Sequence, residues 1–479
     1  MAAGILLAFA AISHAADTVP LEVLVKLRSP AALPPIIAQY PGTQSVQFGS
    51  RPIYRLKLAA GSNVDTVVNQ LGANPDVLLV EANYTQQSPE ARKNLPWVIG
   101  SPAAYQAQWA PTAMRLPEAH LFTKGAGVRV AVLDTGVDLS HPALAGKLLP
   151  GYDFVDGDSN PSEELCTPTP CTVAGLGYGH GTHVAGLIAL AAPQAKIIPY
   201  RVLDPDGVGN AWVLSEALQR AIDPDGNPAT DDGAHVINLS LGTQLRTRVL
   251  TSIAKLFTCE PPDDTDPLLN FSDAGYNDDK ARCANTTAPV IVAAAGNDGS
   301  DSVKEYPAAE SVYGLISVGA SNSTGHLASF SNSGSWVQIA APGEGITSAI
   351  PTSAAPGGFG TWSGTSMAAP LVAGAVALLR SAQPDLAPKD VVRRVTRLTT
   401  PLAGTNIEQV NAAVLVEVCK MDIDGDGVVL PTTDGLILMR AMMGMTDVAV
   451  SSAAPPAALR KTWTDIRRYL VDACGMTLP

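Results

Sequence analysis

The segment VAVLDTGVD, residues 130–138, decides the fold. Val130 to Leu133 are all apolar, and the run stops on an acid, Asp134, followed at once by Thr135 and Gly136. A strand that is apolar on both faces belongs inside a sheet covered on both sides. Four similar runs lie downstream: KIIPYRVL (196–203), HVINLSL (235–241), PVIVAAA (289–295) and GLISVGA (314–320). Stretches of helical period are expected at 181–192, 211–222, 246–257, 365–381 and 388–398. Strands alternating with helices predict an α/β, doubly wound parallel sheet. In such sheets the working groups gather beyond the carboxyl ends of the strands, where Asp134 stands.

Outward from this core the chain changes character twice. Residues 21–87 carry the short apolar runs LEVLVKL, IYRLKL and VLLVEA around two helix-like stretches, a small α+β unit of the split βαβ kind. Residues 88–110 are polar and proline-containing and read as a linker open to cutting. Beyond residue 402 the composition shifts again and ends in the methionine-rich LILMRAMMGM (436–445), a separate small helical unit. The expected division is a signal segment 1–16, an α+β unit 17–88, the parallel-sheet domain 100–402 and a C-terminal domain 415–479.

Composition narrows the function. The 479 residues carry 31 basic and 44 acidic side chains, a net charge of −13, so there is no basic footprint for nucleic acid. Hydrophobic content of 46% against 16% charged residues excludes a disordered chain. No apolar run reaches the ~20 residues of a membrane span. GILLAFAAI (4–12), followed by the small residues of Ser13-His14-Ala15-Ala16, reads as a secretory signal and places the protein outside the cell. Six cysteines fit that setting, and pairing in chain order is expected (166 with 171, 259 with 283, 419 with 474), although sequence leaves other connectivities open.

Three motifs carry chemistry. VAVLDTGVD puts Asp134 at a strand end, GHGTHVAG (179–186) puts His180 at a helix start, and GTSMAAPLVAG (364–374) puts Ser366 at the start of the most apolar helix. A serine attacks a peptide carbonyl only when a neighbouring base takes its proton. An imidazole can do so near neutral pH, and a buried carboxylate can hold its tautomer. The histidine pair His180 and His183 also has a metal-like spacing, but no HExxH pattern accompanies it.

Together these boxes resemble the subtilisin-like serine proteases, the subtilases, over about residues 108–398. The resemblance implies a serine endopeptidase acting on polypeptide substrates through an acyl-enzyme, with Asp134 as orienting acid, His180 as general base and Ser366 as nucleophile. A base that must be neutral implies activity rising through about pH 6 to 8. VIVAAAGNDG (290–299) resembles the family's oxyanion box, which makes Asn297 a donor to the tetrahedral intermediate. VINLSLG (236–242), through Ser240, Leu241 and Gly242, and LDPDGVG (203–209), through Gly207, Val208 and Gly209, resemble the two edges that hold substrate extended. AAAG around Ala293 suggests a roomy apolar slot for the side chain before the scissile bond. The N-terminal unit resembles the family's propeptide, an intramolecular inhibitor, with its cut expected between Gln87 and Asn94.

DIDGDGVVLPTTDG (422–435) resembles a dockerin-type or EF-hand-like loop and implies structural calcium on Asp422, Asp424, Asp426 and Asp434, the last one place later than usual. Only one such loop is present where dockerins carry two. A second acidic stretch from Asp223 to Asn227 is a weaker metal candidate. No organic cofactor is implied. The competing reading is an extracellular, calcium-dependent adhesion or binding protein with an incidental or inactive protease fold.

Overall fold

The computed structural model describes residues 17–93, 95–165, 177–261, 276–417, 421–474 and 476–479. The expected signal segment, the pair Cys166 and Cys171, and Cys419 lie outside the described residues. Cys259 is bonded to Cys283, and Cys474 is also disulfide-bonded.

The expected strands form at Arg129–Asp134, Lys196–Arg201, Val236–Leu239, Val290–Ala294 and Leu315–Ser321. They pair in parallel, with Arg129–Asp134 between Val236–Leu239 and Lys196–Arg201, inside a nine-stranded sheet. Alternation sends neighbouring residues to opposite faces. Val130 and Val132 face a core with the helices His180–Ala191 and Thr365–Ala382, while Ala131 and Leu133 face one with Ala211–Ile222 and Arg248–Phe257. The sheet is therefore covered on both sides. From Arg129–Asp134 the chain first builds outward to Lys196–Arg201 and then returns to add Val236–Leu239 on the other side, so Asp134 ends a strand at the switch point. Thr365–Ala382 is long and apolar enough to cross a membrane, but 89% of it is buried as the central core helix.

The N-terminal unit is an antiparallel sheet in the order Gln44–Gln47, Ile53–Lys57, Thr18–Leu27, Val77–Gln87. One face packs on its own helix Val64–Gly72, and the other sends Leu24, Phe48, Ile53 and Leu79 into the second core of the large domain. Two side chains near the end of Val77–Gln87 cap large-domain helices. Glu81 accepts from the Arg248 and Val249 amides at 2.9 and 3.0 Å, and Asn83 accepts from Trp212 N at 3.2 Å. These amides belong to helix first turns, which have no intrahelical acceptor. Arg51 crosses the same interface, with its guanidinium on Asp279 at 2.7 Å, both side chains 5% exposed.

Residues 88–110 do not form the open linker that their polarity implies. Val98–Ile99 adds a strand to Phe359–Trp362, Pro102–Ala107 is helical, and Ser88, Pro89, Glu90 and Ala91 are buried. Trp97 and Trp109 pack against the first core of the large domain and Tyr105 lies 5.2 Å from the Phe359 ring, so the segment takes its order from apolar contacts as well as from backbone pairing. The C-terminal unit packs around Ile423, Ile437, Ile466, Tyr469 and Leu470. Arg460 braces it from within, donating to the Ile423 and Asp422 carbonyls at 2.6 and 2.7 Å and pairing with Glu417 at 2.9 Å, while Arg468 reaches the large domain at the Thr399 carbonyl, 3.3 Å away.

Removing Arg51 strands the Asp279 carboxylate in a buried site, which costs about 3–5 kcal/mol. In a Ser366→Ala background, Arg51→Ala should lower the unfolding free energy of the precursor by that amount in denaturant titration. An unchanged midpoint would show that this contact does not hold the two units together.

Candidate active site

Asp134, His180 and Ser366 converge at the carboxyl end of the strand Arg129–Asp134, all essentially unexposed. Asp134 ends its strand, His180 opens the helix His180–Ala191, and Ser366 is the second residue of Thr365–Ala382. His180 Nδ1 lies 2.7 Å from Asp134 Oδ1, which also accepts from Thr135 N at 2.8 Å. Trp362 packs edge-on to the His180 ring at 5.3 Å. Glu163 braces the first turn of the histidine helix, accepting from the Gly179 and Thr182 amides at 2.8 and 2.9 Å. Burial pushes the Glu163 carboxyl up to about 8, against these donors.

Asn297 follows the strand Val290–Ala294 and is turned by its own oxygen, which accepts from Thr365 N and Thr365 Oγ1 at 2.9 Å each. Its amide nitrogen is thereby presented beside Ser366. Ser240 packs behind the nucleophile, donating to the Ser366 carbonyl at 3.0 Å.

A fifth side chain, which the sequence reading did not select, occupies the centre. Ser366 Oγ donates to Glu90 Oε2 at 2.5 Å, and His180 Nε2 lies 3.2 Å from the same oxygen. Asn297 Nδ2 donates to Glu90 Oε1 at 2.7 Å. One carboxylate thus has one oxygen between base and nucleophile and the other on the amide donor. Gly364 makes the room, since a Cβ there would stand 1.7 Å from Glu90 Oε1. Burial alone would lower the imidazole, but the Asp134 charge and hydrogen bond, then Glu90, carry it up to about 10. Burial alone would raise Glu90, but His180, Ser366 and Asn297 hold it below the usual carboxylate range. The two groups form a buried ion pair.

The approach to Glu90 is strand addition. Thr85, Gln86 and Gln87 pair antiparallel with Asn210, Gly209 and Val208, and Gln87 exchanges two backbone hydrogen bonds with Gly242 at 2.8 and 2.9 Å. Ser88 N then donates to the Gly207 carbonyl at 3.2 Å. Of the six edge residues expected from sequence, Gly207, Val208, Gly209 and Gly242 touch the N-terminal segment directly, whereas Ser240 packs against Ser366 and Leu241 is buried in the core. After Ser88 the chain turns into the helical turn Pro89–Arg92, capped by Ser88 Oγ. That turn delivers Glu90 to the centre and sends Arg92 onto the fully buried Glu305 carboxylate at 2.6 and 2.8 Å.

His183 is a core residue. Its Nε2 lies 3.2 Å from the Ile346 carbonyl, and burial with the nearby His180 charge pushes it down to about 3. No carboxylate or thiol joins it in a metal-sized group among the described residues.

Three acidic groups elsewhere are compact enough to hold an ion. Asp422, Asp424 and Asp426 come together as the loop motif implies, and Asp424 Oδ2 is buried with no hydrogen-bond partner. Asp434 corrects the expectation. It stands outside that group, and its carboxylate accepts from the Ile423, Asp424 and Leu430 amides at 2.5, 3.1 and 2.9 Å, so its lone pairs brace the loop backbone. Asp223 and Asp225 gather with Asp232, with Asn227 outside the group. Asp153, Asp156 and Glu164 all pair with Arg201, which already supplies their counter-charge.

Glu90 and Arg92 were missed because SPEARK (88–93) falls in the stretch read as a polar linker, and Glu305 because it stands in none of the motifs. The one available signal was that SPEARK falls within the expected cutting window.

Comparison with known proteins agrees with this geometry. The subtilase family model matches residues 125–414, and that of the fervidolysin N-terminal prodomain matches residues 10–83. A thermophilic serine proteinase of Bacillus sp. (strain AK1) is 34% identical over 351 residues, 71% of this chain and 72% of that protein. Thermitase of Thermoactinomyces vulgaris is 35% identical over 57% of this chain and 82% of its own. The solved structure of fervidolysin from Fervidobacterium pennivorans shares the fold with a TM-score of 0.61 at 22% identity, covering 84% of this chain, which spans 61% of that one. A motif-bearing parallel sheet, a prodomain laid across its active-site edge and these relatives converge on one conclusion: the chain belongs to the subtilase family and is a serine endopeptidase with an N-terminal prodomain.

Proposed function

We propose that the protein is an exported precursor that hydrolyses polypeptides through Asp134, His180 and Ser366 once its prodomain is removed, and that Glu90 keeps it inactive until then. The observation that carries this reading is the single carboxylate on which His180, Ser366 and Asn297 all converge. Its two oxygens stand where a substrate carbonyl undergoing attack would need them, one near the nucleophile and one on the oxyanion donor. With Glu90 withdrawn, His180 takes the Ser366 proton, Ser366 Oγ bonds to the carbonyl carbon, and Asn297 stabilises the oxyanion. The imidazolium then protonates the leaving amine, and the base returns to deliver water to the acyl-enzyme. Asp134 holds the ring tautomer throughout.

While Glu90 is in place, the imidazole is a cation and cannot act as base. Strand addition by residues 85–88 fills the edges that an extended substrate would use. The N-terminal unit therefore inhibits twice, by occupying the cleft and by stabilising the protonated form of the base. Export is supported by the apolar start of the chain and by the Cys259–Cys283 disulfide, which suits an oxidising compartment.

Structural calcium is assigned to Asp422, Asp424 and Asp426. Hard oxygen ligands suit that ion, and an unpartnered buried carboxylate oxygen calls for a cation. These three residues would hold it, and its charge would offset their mutual repulsion.

Labelling with a serine-directed fluorophosphonate tests the centre. The processed protein should label and Ser366→Ala should not; equal labelling of both would refute the assignment of the nucleophile. Chelation with EDTA should lower the thermal midpoint of the C-terminal unit by several degrees, restored by calcium, and Asp424→Asn should abolish the calcium response. A midpoint insensitive to calcium in the wild type would remove the metal from the account.

A further inference from the structure

The ion pair between Arg92 and Glu305 is not needed to silence the catalytic groups, yet it is built with care. Glu305 is fully buried, and Arg92 grips its carboxylate with two guanidinium nitrogens, at 2.6 and 2.8 Å, while also donating to the Gly242 carbonyl at 3.2 Å. Among the described residues Arg92 is the cation paired with Glu305.

The location of this carboxylate is informative. A Cβ on Gly242 would lie 2.6 Å from Glu305 Oε1, and one on Gly296 would lie 3.3 Å from Oε2. Gly242 belongs to the edge that pairs with the incoming chain, and Gly296 directly precedes Asn297. Glu305 therefore lies between the substrate-binding edge and the oxyanion donor. The side chain that fills the recess in front of it, Arg92, comes from the same short turn that carries Glu90 onto Ser366. Asp298, next to Asn297, adds a second negative charge at the rim and pairs there with Lys93 at 2.5 Å. The AAAG stretch from which an apolar slot is expected ends at Gly296, so the recess has a buried carboxylate beside it.

Its present occupant is a side chain of the prodomain junction, so cutting and releasing that junction takes the cation away. An unpaired buried carboxylate is costly, and the recess is left fitted to another cation. Burial pushes Glu305 up, with Arg92 opposing it, which agrees with a group that depends on its partner.

We propose that Glu305 determines cleavage specificity: after prodomain release its carboxylate binds the side chain on the acyl side of the scissile bond and selects arginine there. The two-pronged contact favours a planar guanidinium over the point charge of lysine. Leucine and phenylalanine would leave the carboxylate buried and unpaired. Arg92 is thus a substrate mimic whose backbone is held in the helical turn Pro89–Arg92 instead of an extended strand. The inference rests on the proposed placement of the nucleophile at Ser366.

The test uses the full chain after self-processing and a set of otherwise identical fluorogenic peptides with Arg, Lys, Leu, Phe or Glu before the scissile bond. In the wild type, kcat/KM for Arg should exceed that for Leu and Phe by at least about 100-fold, with Lys between them. Glu305→Gln should remove at least about 100-fold of the Arg preference, read as the ratio of kcat/KM for Arg to that for Leu within the same variant. Benzamidine, a small guanidinium-like cation, should compete with the Arg peptide in the wild type. Leu or Phe cleaved as fast as Arg, or an Arg preference retained in Glu305→Gln, would overturn the proposal. Should the variant fail to fold, the wild-type profile and benzamidine competition still decide. Fluorophosphonate labelling run in parallel separates the two readings. Ser366-dependent labelling without Arg preference sinks only the specificity claim, whereas labelling that survives Ser366→Ala sinks the active-site placement.

Discussion

Two charges that would each be expensive alone, the Glu90 carboxylate and the His180 imidazolium, are buried together at the end of the strand Arg129–Asp134. Their cost is offset only while both are present and fully hydrogen-bonded, which Asp134, Ser366 and Asn297 ensure. Much of the rest of the precursor follows from this constraint. Glu90 must be delivered to a point inside the large domain, so the preceding residues have to be locked in register, and the N-terminal sheet must dock on fixed elements. The strand Val77–Gln87 accomplishes both, capping two helices and then pairing along Val208–Asn210.

The same architecture separates what must be rigid from what must leave. The proposed catalytic groups sit on a strand end and two helix starts packed in the main cores, where little can shift without opening cavities. The inhibitor is held by edge pairing, helix capping and ion pairs such as Arg51 with Asp279. Those contacts depend on partners that cutting can remove, while the sheet beneath retains its own packing.

Much of this was legible in the sequence because its cause is local. Runs such as Val130 to Leu133 favour inner strands, and the strands Arg129–Asp134, Lys196–Arg201, Val236–Leu239, Val290–Ala294 and Leu315–Ser321 match the expected stretches, overrunning them by at most one residue. The convergence of Asp134, His180, Ser366 and Asn297 was legible because each stands in a dense motif. Residues 88–110 misled because their order is borrowed: Arg92 and Glu305 lie 213 positions apart, and no local pattern links them. Asp434 misled for a different reason. Spacing indicates where a carboxylate is available, but the amides of Ile423, Asp424 and Leu430 compete for the same lone pairs.

The most direct measurement of the closed state is the titration of His180 by NMR in the Ser366→Ala precursor, with and without Glu90→Gln. A folded pKa raised above the ordinary 6.5 to about 10 means that the imidazolium's stabilising contribution is fully present below pH 6.5 and is lost as pH rises through about 10. The account predicts a protonated His180 at pH 8 in the parent precursor and a midpoint at least about one unit lower when Glu90 loses its charge. A His180 that titrates near 6.5 in both proteins would contradict it.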